Sequence, residues 1–288
     1  MSSVASGGGA RPSRRAVALT TALLIVFLLY SLAPTWFLLV ASTKNQPDLY
    51  STFGLWFSGN HFAGNMRAVW EYHDGVFGRW ILNSVLCSTL GAAGSTLISL
   101  AAGYGLAKFG FRGRGALFGV IVGASLLPST LLAFPLYLVF ADIHLTNTIW
   151  AVLIPCFINP FGVYLGKVYA DTSVPAELME AARIDGAGEA RIFASIALRL
   201  MSTGGITIFM LDFVGIWNNF FLPLFMLNGE HTFPVTLGLF SWVQQAQNSR
   251  DMNTLVLTGS LLSIIPLAVF VFALQKYWRS GILMGSLK

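Results

Sequence analysis

The residues best suited to binding chemistry lie around position 212, inside an otherwise apolar stretch. Asp212 is the one acidic residue deep in this stretch, and Trp217, Asn218 and Asn219 follow it closely. A carboxylate and amides can hydrogen-bond hydroxyl groups, and an indole can stack on an apolar ring face. An acid inside a membrane usually faces the protein interior or a wet cavity, which predicts a ligand site here. The alternative is structural, with Asp212 satisfied by a neighbouring span and Trp217-Asn218 serving helix packing.

A second group of polar residues lies in a segment that is rich in charges of both signs. It reads DTSVPAELMEAARIDGAGEARIFASIALRL, from Asp171 to Leu200. Pro175 suits the first turn of a helix, residues 176–184 are good helix formers, and Gly186 provides a C-terminal stop. A second helix is predicted from Glu189 onward.

The short predicted helix carries a narrow face of small and apolar side chains at Leu178, Ala181 and Ala182. These residues share one side of a helix because they are three and four positions apart. One interpretation is an amphipathic helix that lies on the membrane surface. Because the face is only weakly apolar and is flanked by acids and bases, the pattern favours a docking helix for a partner protein.

The rest of the chain consists of apolar segments that must position these two groups. Of the 288 residues, 55% are hydrophobic and 10% are charged, whereas soluble domains carry about 25% charged residues. This balance excludes a soluble globule, a disordered chain and a disulfide-stapled secreted module. We predict an all-α polytopic membrane protein with six transmembrane helices, since each span needs roughly 20 apolar residues. The predicted spans are Ala16–Ala41, Ile81–Leu106, Ala116–Phe140, Thr148–Val168, Thr203–Leu227 and Thr254–Lys276.

The basic residues predict the orientation of these spans. With the N-terminus in the cytoplasm, most of the 17 Lys and Arg residues fall in cytoplasmic segments, as the positive-inside rule requires. Both termini are then cytoplasmic, and the charged segment around residue 180 is a cytoplasmic loop. The basic residues that remain outside are Lys44, Arg67, Arg79 and Arg250. The net charge of +5 is scattered in short clusters between spans, which argues against nucleic-acid binding.

The remaining features add no further site. Residues 1–15 are rich in Gly, Ser and Arg and are predicted to form a disordered basic cytoplasmic tail, with the membrane domain at 16–288. Cys87 and Cys156 are interpreted as buried hydrophobes. The four histidines lack ligand-like spacing, so no metal site is predicted. The sequence has no G-x-x-x-x-G-K-[ST] phosphate loop, so we predict no ATPase site and no catalytic residue in this chain.

Several motifs resemble those of a known transporter family. Glu180-Ala181-Ala182, followed by Asp185-Gly186-Ala187, is similar to the EAA loop of ATP-binding-cassette importer permeases. Other segments resemble the carbohydrate-uptake branch of this family, typified by the smaller permease of the maltose transporter. They include Asn83-Ser84, Pro135-Leu136-Tyr137, Trp217-Asn218 and Gln275-Lys276-Tyr277. Two positions depart from the family pattern: Arg199 stands where a proline is usual, and Asn219 where an acid is common.

The resemblance implies a type I importer permease fold, with a permease core at about 81–275 and a coupling loop at 171–200. It further implies a permease subunit of an ATP-driven sugar or oligosaccharide importer in a bacterial inner membrane, surrounded by lipid. The expected partners are a second homologous permease, an extracytoplasmic sugar-binding protein, and a pair of ATPase subunits that bind ATP and Mg²⁺.

The resemblance also assigns roles to residues of the coupling loop. Ala181 and Ala182 would pack in a groove of the ATPase, Glu180 would pair with a basic residue there, and Asp185-Gly186 would form the turn that ends the docking helix. In the fifth span, Asp212, Trp217, Asn218 and Asn219 would line the substrate path.

Three other functions compete with this expectation. A secondary carrier would use Asp212 as its proton site, but such carriers contain internal repeats, and none is visible in the sequence. A membrane scaffold would use the cytoplasmic helix only to recruit a partner. An importer permease for a non-sugar solute, such as an amino acid, a peptide or an ion, would keep the same architecture.

Overall fold

The computed structural model describes residues 13–249 and 252–285, and within them the protein consists of helices and connecting loops without strands. The predicted all-α fold is therefore confirmed. Most of residues 1–15, the predicted disordered tail, lies outside the described residues. The helices in chain order are α1 (Arg14–Ser42), α2 (Gln46–Ser51), α3 (Phe62–Glu71), α4 (Val76–Lys108), α5 (Arg114–Ser125), α6 (Ser129–Asp142), α7 (Ile149–Cys156), α8 (Pro160–Ser173), α9 (Ala176–Ile184), α10 (Glu189–Ile192), α11 (Leu198–Leu200), α12 (Ser202–Trp217), α13 (Phe221–Met226), α14 (Val235–Ala246) and α15 (Met252–Gly285).

Four helical stretches of the described chain are long and apolar enough to cross a membrane, and two bent helix pairs bring the total to six. The four stretches are Arg14–Ser42, Phe62–Lys108 (α3 and α4), Ile149–Ser173 (α7 and α8) and Met252–Gln275. Helix α1 begins two residues before the predicted span, because the Ser13 side chain accepts a hydrogen bond from the amide of Ala16 and caps the helix.

The third predicted span is not one helix. Helices α5 and α6 are separated by Leu126–Pro128 and bend by 100° relative to each other. Proline disfavours the helical conformation in the residue before it, so Leu127 ends the regular hydrogen-bonding pattern. The apolar run from 116 to 140 thus contains a sharp corner, which its uniform hydrophobicity did not predict.

The fifth predicted span is also interrupted. Helix α12 ends at Trp217, the chain leaves the helix at Asn218 and Asn219, and α13 follows. The Asn218 side-chain amide donates from Nδ2 to the Val214 carbonyl at 2.8 Å, which satisfies a carbonyl at the helix end. At the other end of α12, the stretch Glu189–Leu200 meets it at a 78° bend. That bend lies at Met201, beside Arg199, although the usual proline is absent.

Two helices approach each other backbone to backbone and form the centre of the bundle. A Cβ atom on Gly103 of α4 would lie 2.3 Å from the Gly166 carbonyl carbon of α8. Likewise, a Cβ on Gly162 would lie 2.5 Å from the Ser99 hydroxyl. Gly162 and Gly166 form a G-x-x-x-G pattern, whose small residues permit close packing where lipid offers no hydrophobic drive. Helix α8 is thus held against α4 along most of its length.

Three buried clusters fill the remaining interior. The largest contains aromatic side chains, among them Phe77, Trp80, Phe213, Trp217 and Trp242. A second lies beneath the coupling loop, and its members from α4, α8, α9 and α12 include Leu100, Tyr104, Ala170, Met179 and Ile208. A third joins the third, fourth and fifth spans. The second cluster lies beneath α9 and determines which side of that helix faces outward.

Candidate functional site in the coupling loop and the cavity

Helix α9 occupies residues 176–184, as predicted. It follows α8 after only Val174 and Pro175, and Val174 is buried. Pro175 occupies the N-cap position, one residue earlier than the predicted first turn, with φ −66° and ψ 141°. Glu177 lies in the first turn, where the helix dipole favours a negative charge. The connection between α8 and α9 is therefore only two residues long, and its backbone is extended at both.

The end of α9 is fixed by a Schellman motif. Gly186 adopts φ +79°, its amide donates to the Arg183 carbonyl at 3.0 Å, and the Ala187 amide donates to the Ala182 carbonyl at 3.0 Å. This pair of bonds satisfies carbonyls that the helix end would leave free. A left-handed φ is strained for most residues with a Cβ atom, so the glycine predicted at this turn suits the backbone conformation.

An ion pair spans the same turn. Arg183 Nε lies 2.6 Å from Glu189 Oε1, and the hydrogen bond to Glu189 raises the pKa of Arg183 above its usual range. Arg183 therefore belongs to the internal structure of the loop. Glu180 has no hydrogen bond or ion pair to other described residues, so its carboxylate is available on the surface.

The two predicted docking alanines face different directions. Ala182 is 8% exposed and packs with Met179 on the cluster beneath the loop, whereas Ala181 is exposed. The expectation that Ala182 packs in a partner groove is therefore wrong: its methyl group faces the core of its own chain. The outward face instead carries Leu178, which is 44% exposed, and Ile184, which is 86% exposed. Sequence reasoning missed Ile184, although an isoleucine beside the helix-ending Asp185-Gly186 was a visible signal.

A cavity of about 560 Å³ lies between the third, fourth and fifth spans. The predicted residues Asp212, Asn218 and Asn219 line it, together with hydroxyl groups of Ser129 and Thr130. Its lining includes no Lys, Arg or His among the described residues. The polar groups therefore suit a ligand that donates hydrogen bonds through hydroxyl groups.

Trp217 does not line this cavity. Its side chain is 4% exposed and stacks on Phe213 within the aromatic cluster, with ring centroids 6.1 Å apart. The prediction that Trp217 stacks on a ligand is wrong in this structure, because its ring points to the opposite side of α12 from Asp212. The alternative interpretation, helix packing, describes it better.

Asn159 is a cavity residue that sequence reasoning missed. It caps α8, with its Oδ1 accepting from the Gly162 amide at 3.0 Å, and its Nδ2 donates to Asp212 Oδ1. The signal was the Asn-Pro pair inside an apolar run, because such pairs mark a turn or a helix start. The second oxygen, Asp212 Oδ2, is buried and makes no well-aligned hydrogen bond to the described residues, although the Ser95 hydroxyl of α4 lies beside the carboxylate.

Comparisons with known proteins agree with this architecture. Residues 95–282 match the family described as binding-protein-dependent transport system inner membrane component. The arabinooligosaccharides transport system permease protein AraQ of Halalkalibacterium halodurans is 33% identical over 214 residues, covering 74% of this chain and 75% of the relative. The sn-glycerol-3-phosphate transport system permease protein UgpE of Pectobacterium atrosepticum is 27% identical over 264 residues, covering 90% and 93%.

A solved structure has the same fold. It belongs to a bacterial ABC transporter involved in the import of the acidic polysaccharide alginate, and the superposition has a TM-score of 0.79. The match covers 94% of this chain and 100% of the other, at 24% identity. The helices of membrane-crossing length, two of them bent pairs, fit the inner membrane component that the family match describes. The chain belongs to the family of inner membrane components of binding-protein-dependent transport systems, and it is a permease subunit of such an importer.

Proposed function

We propose that this permease forms half of the translocation path of an ATP-driven importer for a neutral sugar or oligosaccharide. The observation that carries the substrate class is the cavity lining, in which one carboxylate, amides and hydroxyl groups face the same space without a basic residue among the described lining. Sugar hydroxyl groups can donate to Asp212 and both donate to and accept from Asn218 and Asn219. AraQ is named for arabinooligosaccharides, which have this chemistry.

A phosphate ester or an acidic polysaccharide fits the same lining less well. UgpE is named for sn-glycerol 3-phosphate, and the solved transporter imports alginate. An anion beside Asp212 would meet a like charge in a partly desolvated site, which is unfavourable. Uptake of sn-glycerol 3-phosphate in preference to arabinotriose would therefore contradict the proposed substrate class while leaving the importer function intact.

We further propose that α9 docks on a separate pair of ATPase subunits, which bind ATP and Mg²⁺. The exposed Ile184 and Leu178 side chains offer apolar surface, Ala181 allows close approach, and Glu180 offers an unpaired carboxylate. Asp185 and Gly186 form the turn that holds this surface in place. Closure of the ATPase pair would move α9 and, through the two-residue connection, α8.

The proposed location is a bacterial inner membrane, with both termini and the coupling loop in the cytoplasm. The excess of Lys and Arg in the segments assigned to that side supports the orientation. A second homologous permease would complete the path, and an extracytoplasmic sugar-binding protein would deliver the solute at the opposite end.

Two charge reversals test the docking role. Glu180→Lys places a base on the exposed face of α9, and Asp142→Lys reverses the charge of another exposed acid, at the end of α6 on the predicted outer side. We expect Glu180→Lys to lose co-purifying ATPase subunits and uptake, while Asp142→Lys retains both. Equal retention of ATPase subunits by the two variants would contradict docking through α9.

The competing functions predict other results for the wild-type protein. A proton-coupled carrier would continue uptake after ATP depletion and stop when the proton gradient collapses. A scaffold would show no ATP hydrolysis stimulated by solute in a reconstituted complex. We expect uptake to stop on ATP depletion and hydrolysis to rise with the loaded binding protein.

A further inference from the structure

The coupling loop has two arms that enter the membrane region side by side. Helix α8 leads into the loop, and α12 leads out of it. Near the loop they are joined tightly, because a Cβ on Gly204 of α12 would lie 2.4 Å from the Tyr169 ring of α8. Ala170, Ile192, Met201 and Ile208 add buried contacts there. The loop ends of both arms therefore move together.

A polar contact joins the same two arms at the cavity. Asn159 lies about 21 Å along α8 from Ser173, and Asp212 lies about 15 Å along α12 from Ser202, at 1.5 Å per residue. The Asn159 amide donates to the Asp212 carboxylate, although the residues are 53 positions apart in sequence. The contact closes a ring made of α8, the coupling loop and α12.

The chemistry of the contact makes it sensitive to what fills the cavity. Both residues line the space, and the Asn159 amide is the well-aligned donor to the Asp212 carboxylate, with the Ser95 hydroxyl of α4 beside it. A hydroxyl donor in the cavity would compete with the Asn159 amide for the same carboxylate. Asn159 cannot move freely, because its other amide atom caps α8 at Gly162.

We propose that Asp212 and Asn159 form a latch that fixes the cavity ends of the two arms to each other and transmits the state of the cavity to the coupling loop. Both are positioning residues for ATP coupling, and this inference rests on the proposed importer function. When the latch is closed, the ring moves as one body. When it opens, the cavity end of α12 moves independently of α8.

An exchange of the two side chains tests the latch. Asn159→Asp sets two carboxylates against each other, whereas adding Asp212→Asn restores an amide donor and a carboxylate acceptor in reversed positions. The aspartate at 159 still caps α8, since Asp and Asn are comparable N-caps. Asp212→Asn alone keeps an amide–amide hydrogen bond. Asp142→Asn, an exposed acid at the end of α6, is the matched control.

The readout is the ratio of ATP hydrolysis with and without binding protein and arabinotriose, in the reconstituted complex. We expect Asn159→Asp to lower the ratio about tenfold through like-charge repulsion, with the double variant within about twofold of the wild type. Asp212→Asn alone should have a mild effect. A severe loss in Asp212→Asn that the double variant shares would overturn the latch and assign Asp212 to direct solute contact or proton transfer.

A second measurement is independent of the solute. Spin labels at Phe161 of α8 and Val214 of α12, neither of which lines the cavity, report the separation of the arms by pulsed electron paramagnetic resonance. The distance distribution should broaden in Asn159→Asp and narrow again in the double variant. An unchanged distribution in Asn159→Asp would overturn the latch. Failure of arabinotriose to stimulate the wild type would instead count against the proposed substrate class.

Discussion

The contact between α4 and α8 gives the sharpest test of how the coupling loop is held. In Gly103→Ala the new methyl carbon would lie 2.3 Å from two backbone atoms, the Gly166 carbonyl carbon and the Lys167 nitrogen. Backbone atoms cannot rotate away, so the helices must separate by about 1 Å to reach ordinary contact distance. Overpacking of this kind costs about 1–3 kcal/mol of unfolding free energy, at the upper end where backbone must shift.

Gly105→Ala provides a matched control on the same helix. A Cβ at Gly105 would meet no described atom within 4 Å. The control therefore adds the same methyl group and also replaces a glycine of α4, and its better helix propensity should leave it neutral or stabilised by up to about 1 kcal/mol. Any difference between the two variants isolates the contact with α8.

The assay measures thermal denaturation and stimulated ATP hydrolysis of the purified complex. We expect Gly103→Ala to lower both the denaturation midpoint and the stimulation, because displaced α8 carries α9 with it. We expect Gly105→Ala to match the wild type. If both variants have equal midpoints and equal stimulation, the backbone contact does not position the coupling loop, and the reasoning from close approach is refuted.

Three further predictions concern single residues. Gly186→Val should destabilise the loop by about 1–2 kcal/mol, because Gly186 has φ +79°, and Gly186→Asn should lose less, as measured by retention of ATPase subunits. Lys44→Met should speed hydrogen exchange in residues 44–61. The buried Lys44 ammonium donates to the Thr52 hydroxyl at 2.9 Å and to the Phe53 carbonyl at 2.7 Å. Each of these charged hydrogen bonds stabilises the segment by about 1.5–3 kcal/mol. Asn147→Gly should free the amides of residues 228 and 229 for exchange, because it keeps the left-handed backbone but removes their acceptor.

Local signals were sufficient to predict the coupling helix. Helix-forming residues, an acid in the first turn and a glycine stop lie within eleven residues, from Ala176 to Gly186. The inward direction of Ala182 was not predictable, because it depends on Leu100, Tyr104 and Ile208, which are distant in sequence. A helix pattern defines faces, whereas tertiary packing decides which face is buried.

For the cavity, too, local sequence signals predicted some features and tertiary packing determined the others. An acid in an apolar run drew attention to Asp212, which lines the cavity, and its contact with solute stays a prediction. Trp217 lies five positions, or about 140° of helix rotation, from Asp212, so a regular α12 turns the two side chains apart and Trp217 packs in the aromatic cluster. Asn159 was overlooked because its capping role depends on a helix break within a continuous apolar run.

The corner in the third span has a consequence for which part of the chain needs a partner's cover. Leu126 and Leu127, at the bend, are 80% and 56% exposed in one protomer. Backbone that leaves a helix at membrane depth is tolerated only where protein or water covers it. In the proposed importer this corner therefore needs a cover of protein or water, which the proposed second permease would supply.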